Sequence, residues 1–81
     1  MSNHILTPDE AVKFQIGHNV KMLREARQMT NGELSIATGV SRSLITLIEQ
    51  GKRYPSIAVL LQLKLALDTS WDKLLEGIES L

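Results

Sequence analysis

The sequence of 81 residues contains no cysteine, which excludes disulfides, a cysteine-based zinc site and a cysteine nucleophile. Aromatic residues are scarce, and no stretch alternates apolar and polar residues over a useful length, so helices are favoured over strands. No apolar run approaches the roughly 18 residues of a membrane span. The N-terminus, Met1-Ser2-Asn3-His4, lacks the basic start and apolar core of a signal peptide. We therefore expect one soluble, cytoplasmic domain over residues 1–81.

A net charge of either sign is also absent, because nine basic residues balance nine acidic ones. The balance hides an asymmetry along the chain. Between Lys13 and Arg53 there are seven basic and three acidic residues, whereas from Asp68 to Leu81 there are four acidic residues and one lysine. Overall neutrality therefore does not exclude a polyanionic partner.

Motifs for catalysis, metal binding or cofactor binding are missing as well. The two histidines, His4 and His18, have no carboxylate at ligand spacing, and the sequence has no glycine-rich phosphate loop and no paired catalytic carboxylates. We expect no metal, no cofactor and no enzymatic activity.

What the sequence does have is five segments with helix start and stop signals. The first has Thr7 as its cap, Pro8 in its first turn and Glu10 to complete a capping box. Its apolar stripe extends to about Arg27, with a bend or break expected near Gly17. A core over about residues 12–76 then lies between an N-terminal arm, 1–7, and a short C-terminal tail, 77–81. The second predicted helix begins after Thr30 and ends at Gly39. The third runs from Arg42 to about Gln50, the fourth from Ile57 to Leu67, and the fifth from about Trp71 to Glu76.

The second and third predicted helices are joined by one tight turn at Gly39, and Leu34, Val40, Ile45 and Ile48 are expected to pack them together. This is the spacing of a helix-turn-helix. From about Ile16 to Leu75 the chain resembles the phage-repressor-like (Cro/C1-type, XRE family) regulators. The residues that carry the resemblance are Ile16-Gly17, Leu23-Arg24, Thr30-Asn31-Gly32-Glu33-Leu34, Gly39-Val40-Ser41-Arg42-Ser43, Ile45, Ile48-Glu49-Gln50-Gly51-Lys52-Arg53, Pro55-Ser56, Leu60, Leu67, Ser70 and Leu74-Leu75.

The resemblance implies an all-α, five-helix, lambda-repressor-like DNA-binding domain with the helix-turn-helix at helices 2 and 3. It also implies an ion pair between Arg24 and Glu49 that braces the third helix, and a bacterial, phage or plasmid source. Since the family usually has Gln at the start of the second helix, Asn31 is a shorter replacement there.

The third helix has a polar N-terminal face that suits the major groove of double-stranded DNA. Its expected base-contacting residues are Ser41, Arg42, Ser43 and Thr46, and Arg42 can donate two hydrogen bonds to a guanine. The expected backbone-contacting residues are Lys21, Asn31, Lys52 and Arg53. Leu47 either contacts a thymine methyl group or is buried or faces a partner.

The fourth predicted helix is apolar around most of its circumference, more than a protomer of this size can bury. We expect a homodimer through helices four and five, with Leu65, Trp71, Ile78 and Leu81 at the interface. The alternative to a dimer is that the fourth helix is rotated by about one residue, so that the protomer's own core buries a different set of its apolar side chains.

Together these features predict a sequence-specific transcription regulator that binds a near-palindromic operator as a homodimer. Control of a restriction–modification operon is the favoured role among phage regulators, antitoxins and restriction controllers. The alternative is a protein-interaction module of the same fold, such as an antitoxin that binds a toxin, and Ile36 and Leu47 favour it.

Overall fold

The computed structural model describes residues 6–81, so residues 1–5 of the predicted N-terminal arm lie outside the described residues. The described part contains five α-helices and no strand, which confirms the all-α prediction. None of these helices is long and apolar enough to cross a membrane. The helices are α1 (Pro8–Ala26), α2 (Asn31–Thr38), α3 (Arg42–Glu49), α4 (Ile57–Ala66) and α5 (Trp71–Leu74).

All five helices begin at the residue that the sequence predicts, because each has a side chain that caps its first turn. At α2, Thr30 Oγ1 accepts a hydrogen bond from the Glu33 backbone N–H at 3.0 Å, and the Glu33 carboxylate accepts one from the Thr30 N–H at 2.9 Å. The same box forms at α1, and serines cap the other three helices. Gly39 ends α2 in the left-handed conformation, with φ +74°, which a residue with a side chain rarely adopts.

The predicted bend or break at Gly17 is wrong, because α1 runs through this residue without interruption. Gly17 is buried where α1 crosses α3, and a Cβ atom there would overlap the carbonyl oxygen of Ile48. The glycine therefore allows the two helices to approach closely. It does not interrupt the first helix.

The end of the chain also differs from the prediction. α5 ends at Leu74 instead of about Glu76, and a 3₁₀ turn, Ile78–Ser80, lies within the segment predicted as a tail. Buried Asn19 supplies the physical reason, since its Nδ2 donates hydrogen bonds of 2.9 Å to the carbonyls of Leu74 and Glu76. These bonds hold the end of α5 against α1.

The core lies between α1, the α2–α3 pair and the C-terminal helices. Seven of its side chains are almost completely buried, and together they join all five helices, so the helix-turn-helix is held by the whole domain. They are Val20, Leu34, Ile45, Ile48, Leu63, Leu67 and Leu74.

Candidate nucleic-acid interface

The third helix has one buried apolar face and one exposed polar face. Ile45 and Ile48 are at most 1% exposed and fix α3 against the rest of the domain. The Ser35 hydroxyl donates a 2.6 Å hydrogen bond to the Val40 carbonyl and ties α2 to the turn before α3. The opposite face of α3 is exposed, and it includes Ser41, Arg42, Ser43 and Thr46.

The first turn of α2 lies beside this exposed face. Asn31 Nδ2 donates a hydrogen bond of 3.2 Å to Thr46 Oγ1, so a residue predicted to contact the DNA backbone touches one predicted to contact a base. A shallow cavity of about 530 Å³ lies here. Its lining consists of Asn31, Arg42, Ser43, Thr46 and the half-buried Leu47.

Arg24 of α1 and Glu49 of α3 form a bidentate ion pair. Arg24 Nε lies 2.7 Å from Glu49 Oε2, and Arg24 Nη2 lies 3.0 Å from Glu49 Oε1. The Arg24 and Glu49 side chains are only 13% and 8% exposed. Nη1 of Arg24 also donates to the Met29 carbonyl at 2.8 Å, so one guanidinium joins α1, the α1–α2 loop and α3. The hydrogen bond to Glu49 raises the pKa of Arg24, which stays charged.

The other predicted backbone-contacting residues lie at the surface on two elements. Lys21 is exposed on α1, and Lys52 and Arg53 are exposed in the loop that follows α3. All three are free to turn towards a phosphate backbone without unpacking the core.

The predicted dimer residues differ in how exposed they are. Leu65, Trp71 and Leu81 are exposed, whereas Ile78 is half-buried and packs partly against the protein's own core. The ammonium group of Lys64 lies 5.7 Å from the centre of the Trp71 ring and joins α4 to the start of α5.

Sequence reasoning missed part of this apolar surface. Ile57 and Leu61 are 79% and 43% exposed and precede Leu65 by eight and four residues, so the three side chains form a stripe along α4. The four-residue spacing was the available signal. It was hidden because α4 is apolar on its other faces too.

Within residues 6–81, no three His, Asp or Glu side chains form a group that could hold a metal ion.

A helix with one exposed polar face, joined by a tight turn to a second short helix that packs against it, is the arrangement found in helix-turn-helix DNA-binding regulators. Residues 15–76 match the family described as a helix-turn-helix domain, and the chain belongs to that family. No curated protein sequence gives a significant match.

Two solved structures resemble this chain at 30% sequence identity. One is the restriction-modification controller protein C.AhdI from Aeromonas hydrophila, with a TM-score of 0.76 over 79% of this chain and 97% of that one. The other is an HTH_3 family transcriptional regulator from Vibrio cholerae, with a TM-score of 0.81 over 90% of this chain and 42% of that one. The predicted fold and family are thereby confirmed.

Proposed function

We propose that the protein is a sequence-specific transcription regulator that binds double-stranded DNA. The observation that carries the proposal is the exposed polar face of α3, whose opposite face is buried and whose end is held by the Arg24–Glu49 pair. A rigid helix with free donors on its outer face is what the major groove requires.

In this proposal the N-terminal part of α3 enters the major groove. Arg42 donates two hydrogen bonds to O6 and N7 of a guanine, and the hydroxyls of Ser43 and Thr46 contact neighbouring base edges. Lys21 and Lys52 contact phosphates and set the affinity and its salt dependence, not the choice of sequence. The function involves no catalysis and no cofactor.

We further propose that the regulator acts as a homodimer. The support is the apolar stripe of Ile57, Leu61 and Leu65 on α4, together with the exposed Trp71 of α5, whose ring lies close to Lys64 of α4. As a homodimer the protein is expected to read two half-sites about one helical turn, roughly 34 Å, apart on a near-palindromic operator.

The dimer is tested by analytical ultracentrifugation at micromolar concentration. Leu65→Asp is expected to give a folded monomer, because it buries a carboxylate in the interface. Ile36→Asp, at an apolar position on α2 that is even more exposed than Leu65, is the control and should leave the dimer intact. A wild-type monomer both with and without DNA would refute the dimer.

The proposed biological role is control of a restriction–modification operon in a bacterium, phage or plasmid. It is supported by the similarity to a restriction-modification controller protein, nearly all of which this chain covers. The selected operator should then lie upstream of a restriction endonuclease gene, and a promoter reporter should respond to the protein. An operator found only next to unrelated genes would count against this role.

The central experiment is selection of binding sites from random double-stranded DNA near physiological salt. We expect a two-fold-symmetric motif to be enriched. Arg42→Ala should abolish this enrichment while the protein stays folded. Arg27→Ala is the matched control, because Arg27 is also exposed and donates its hydrogen bond to the Asp68 carbonyl. Binding without any sequence preference by the wild type would refute the proposal.

One observation favours a second function, a protein-interaction module of the same fold, such as an antitoxin that binds a toxin. Ile36 on α2 is 86% exposed, unusually so for an isoleucine, and lies outside the apolar surface of α4. If this function holds, Ile36→Asp abolishes binding of the protein partner and Arg42→Ala does not. The DNA-binding function predicts the reverse pattern for operator binding.

A further inference from the structure

Gly32, the second residue of α2, lies directly under the guanidinium group of Arg42. The position that a Cβ atom would occupy at Gly32 is 3.4 Å from Cζ, 3.5 Å from Nε and 3.7 Å from Nη2 of Arg42. The arginine side chain, which starts from the first residue of α3, therefore lies back across the first turn of α2.

The backbone at Gly32 does not itself call for glycine. Gly32 lies within a helix and is not among the glycines with positive φ. Apart from proline, glycine is the least favourable residue inside a helix. The guanidinium group of Arg42 explains why Gly32 has no side chain, because any group larger than a methyl would occupy the space of the guanidinium.

Electrostatic attraction from α2 does not explain this placement. The N-terminus of a helix carries partial positive charge and repels a cation. The nearby Glu33 carboxylate already accepts the hydrogen bond from the Thr30 N–H. Within residues 6–81 no carboxylate forms an ion pair with Arg42. The open space over Gly32 is thus what admits the side chain, and its donors remain available to a base.

We propose that Gly32 is a specificity-determining positioning residue, which keeps free the space in which Arg42 lies when it faces the groove. The inference rests on the proposed function and deepens it, since it assigns the choice of base to a pair of residues on two helices. Asn31 plays a parallel part for Thr46 through its 3.2 Å hydrogen bond, so the first turn of α2 orders two side chains of the recognition surface.

The first test uses the free protein. The Nε–Hε group of Arg42 is followed by ¹⁵N relaxation in the wild type, Gly32→Ala and Gly32→Leu, with the exposed Arg53 as the reference for a mobile arginine. We expect Arg42 to be ordered in the wild type and as mobile as Arg53 in Gly32→Leu. In Gly32→Ala, whose methyl group fits beside the guanidinium, Arg42 should stay ordered. Equal mobility of the two arginines in the wild type, or an Arg42 that stays ordered in Gly32→Leu, would overturn the proposal.

The second test is a double-mutant cycle with operator DNA and with the same DNA changed at the guanine that Arg42 contacts. Arg42→Ala is expected to lower discrimination between them by about 5- to 150-fold. Gly32→Leu should cause a similar loss alone, but less than about a twofold change in the Arg42→Ala background. Ala37→Leu, exposed on the same helix, is the control.

A loss of discrimination that persists in the Arg42→Ala background would show that the new leucine clashes with DNA directly, and would overturn the inference. So would full discrimination by Gly32→Leu. If the wild type selects no DNA sequence, the proposed function fails, and the relaxation experiment alone then decides whether Gly32 orders Arg42. Thermal unfolding of each variant confirms that it is folded, and Gly32→Ala provides the smallest change.

Discussion

Breaking the Arg24–Glu49 pair should destabilise the protein far more than loss of a surface ion pair. Exposed pairs contribute about 0–1 kcal/mol, whereas removal of one partner of a buried pair costs about 3–5 kcal/mol. With side chains 13% and 8% exposed and two hydrogen bonds of 2.7 and 3.0 Å, this pair belongs near the buried limit. We expect Glu49→Leu to lower the free energy of unfolding by about 3 kcal/mol, because the guanidinium is left without its counter-charge.

That loss is large for a domain of this size, whose total stability is about 4–12 kcal/mol at the usual value per residue. It corresponds to a fall in Tm of about 12–24 °C. The measurement is urea and thermal unfolding followed by circular dichroism. The double variant Arg24→Met/Glu49→Leu is the control, since it removes both charges together.

The double variant is expected to lose only about 1 kcal/mol, because the Met29 carbonyl is then the main group left without its donor. The losses measured for Glu49→Leu and for Arg24→Met alone should therefore not add up to that of the double variant. If Glu49→Leu costs less than about 1 kcal/mol, or if the losses simply add, the pair behaves as a surface ion pair and the argument from burial is wrong.

Three further outcomes are expected. Gly17→Ala should lower stability by about 2 kcal/mol in urea unfolding, because its Cβ meets the Ile48 carbonyl; increased stability would contradict this. Asn19→Ala should speed hydrogen exchange at the chain's C-terminal end and lower the free energy of unfolding by about 1–3 kcal/mol, because the carbonyls of Leu74 and Glu76 lose their donor. Unchanged exchange would show that these two hydrogen bonds do not hold the end of α5 against α1. The backbone hydrogen bond from Thr30 lowers the pKa of Glu33 below 4.5, so its carboxylate stabilises the fold above that pH and the stabilisation is lost as the pH falls through the lowered pKa. Glu33→Gln should therefore show a weaker loss of Tm between neutral and acid pH, and parallel pH profiles would refute the assignment.

Local interactions were determined by the sequence itself. Each helix begins where a Ser or Thr caps the first turn, and each cap joins residues only three positions apart. Such contacts form without knowledge of the rest of the fold. The turn at Gly39 is local in the same way, and with it the helix-turn-helix and its exposed residues Arg42 and Thr46 followed from the pattern.

Contacts between distant residues were decided only by the tertiary structure. Asn19 meets the carbonyls of Leu74 and Glu76 across 55 and 57 residues of chain, and no local pattern distinguishes it from a surface asparagine. Gly17 gave a local signal for a bend, but the close approach of α3 overrides that signal. Gly32 likewise acquires its role only when α3 brings Arg42 over it, because helix propensity depends on neighbours in sequence whereas packing depends on neighbours in space.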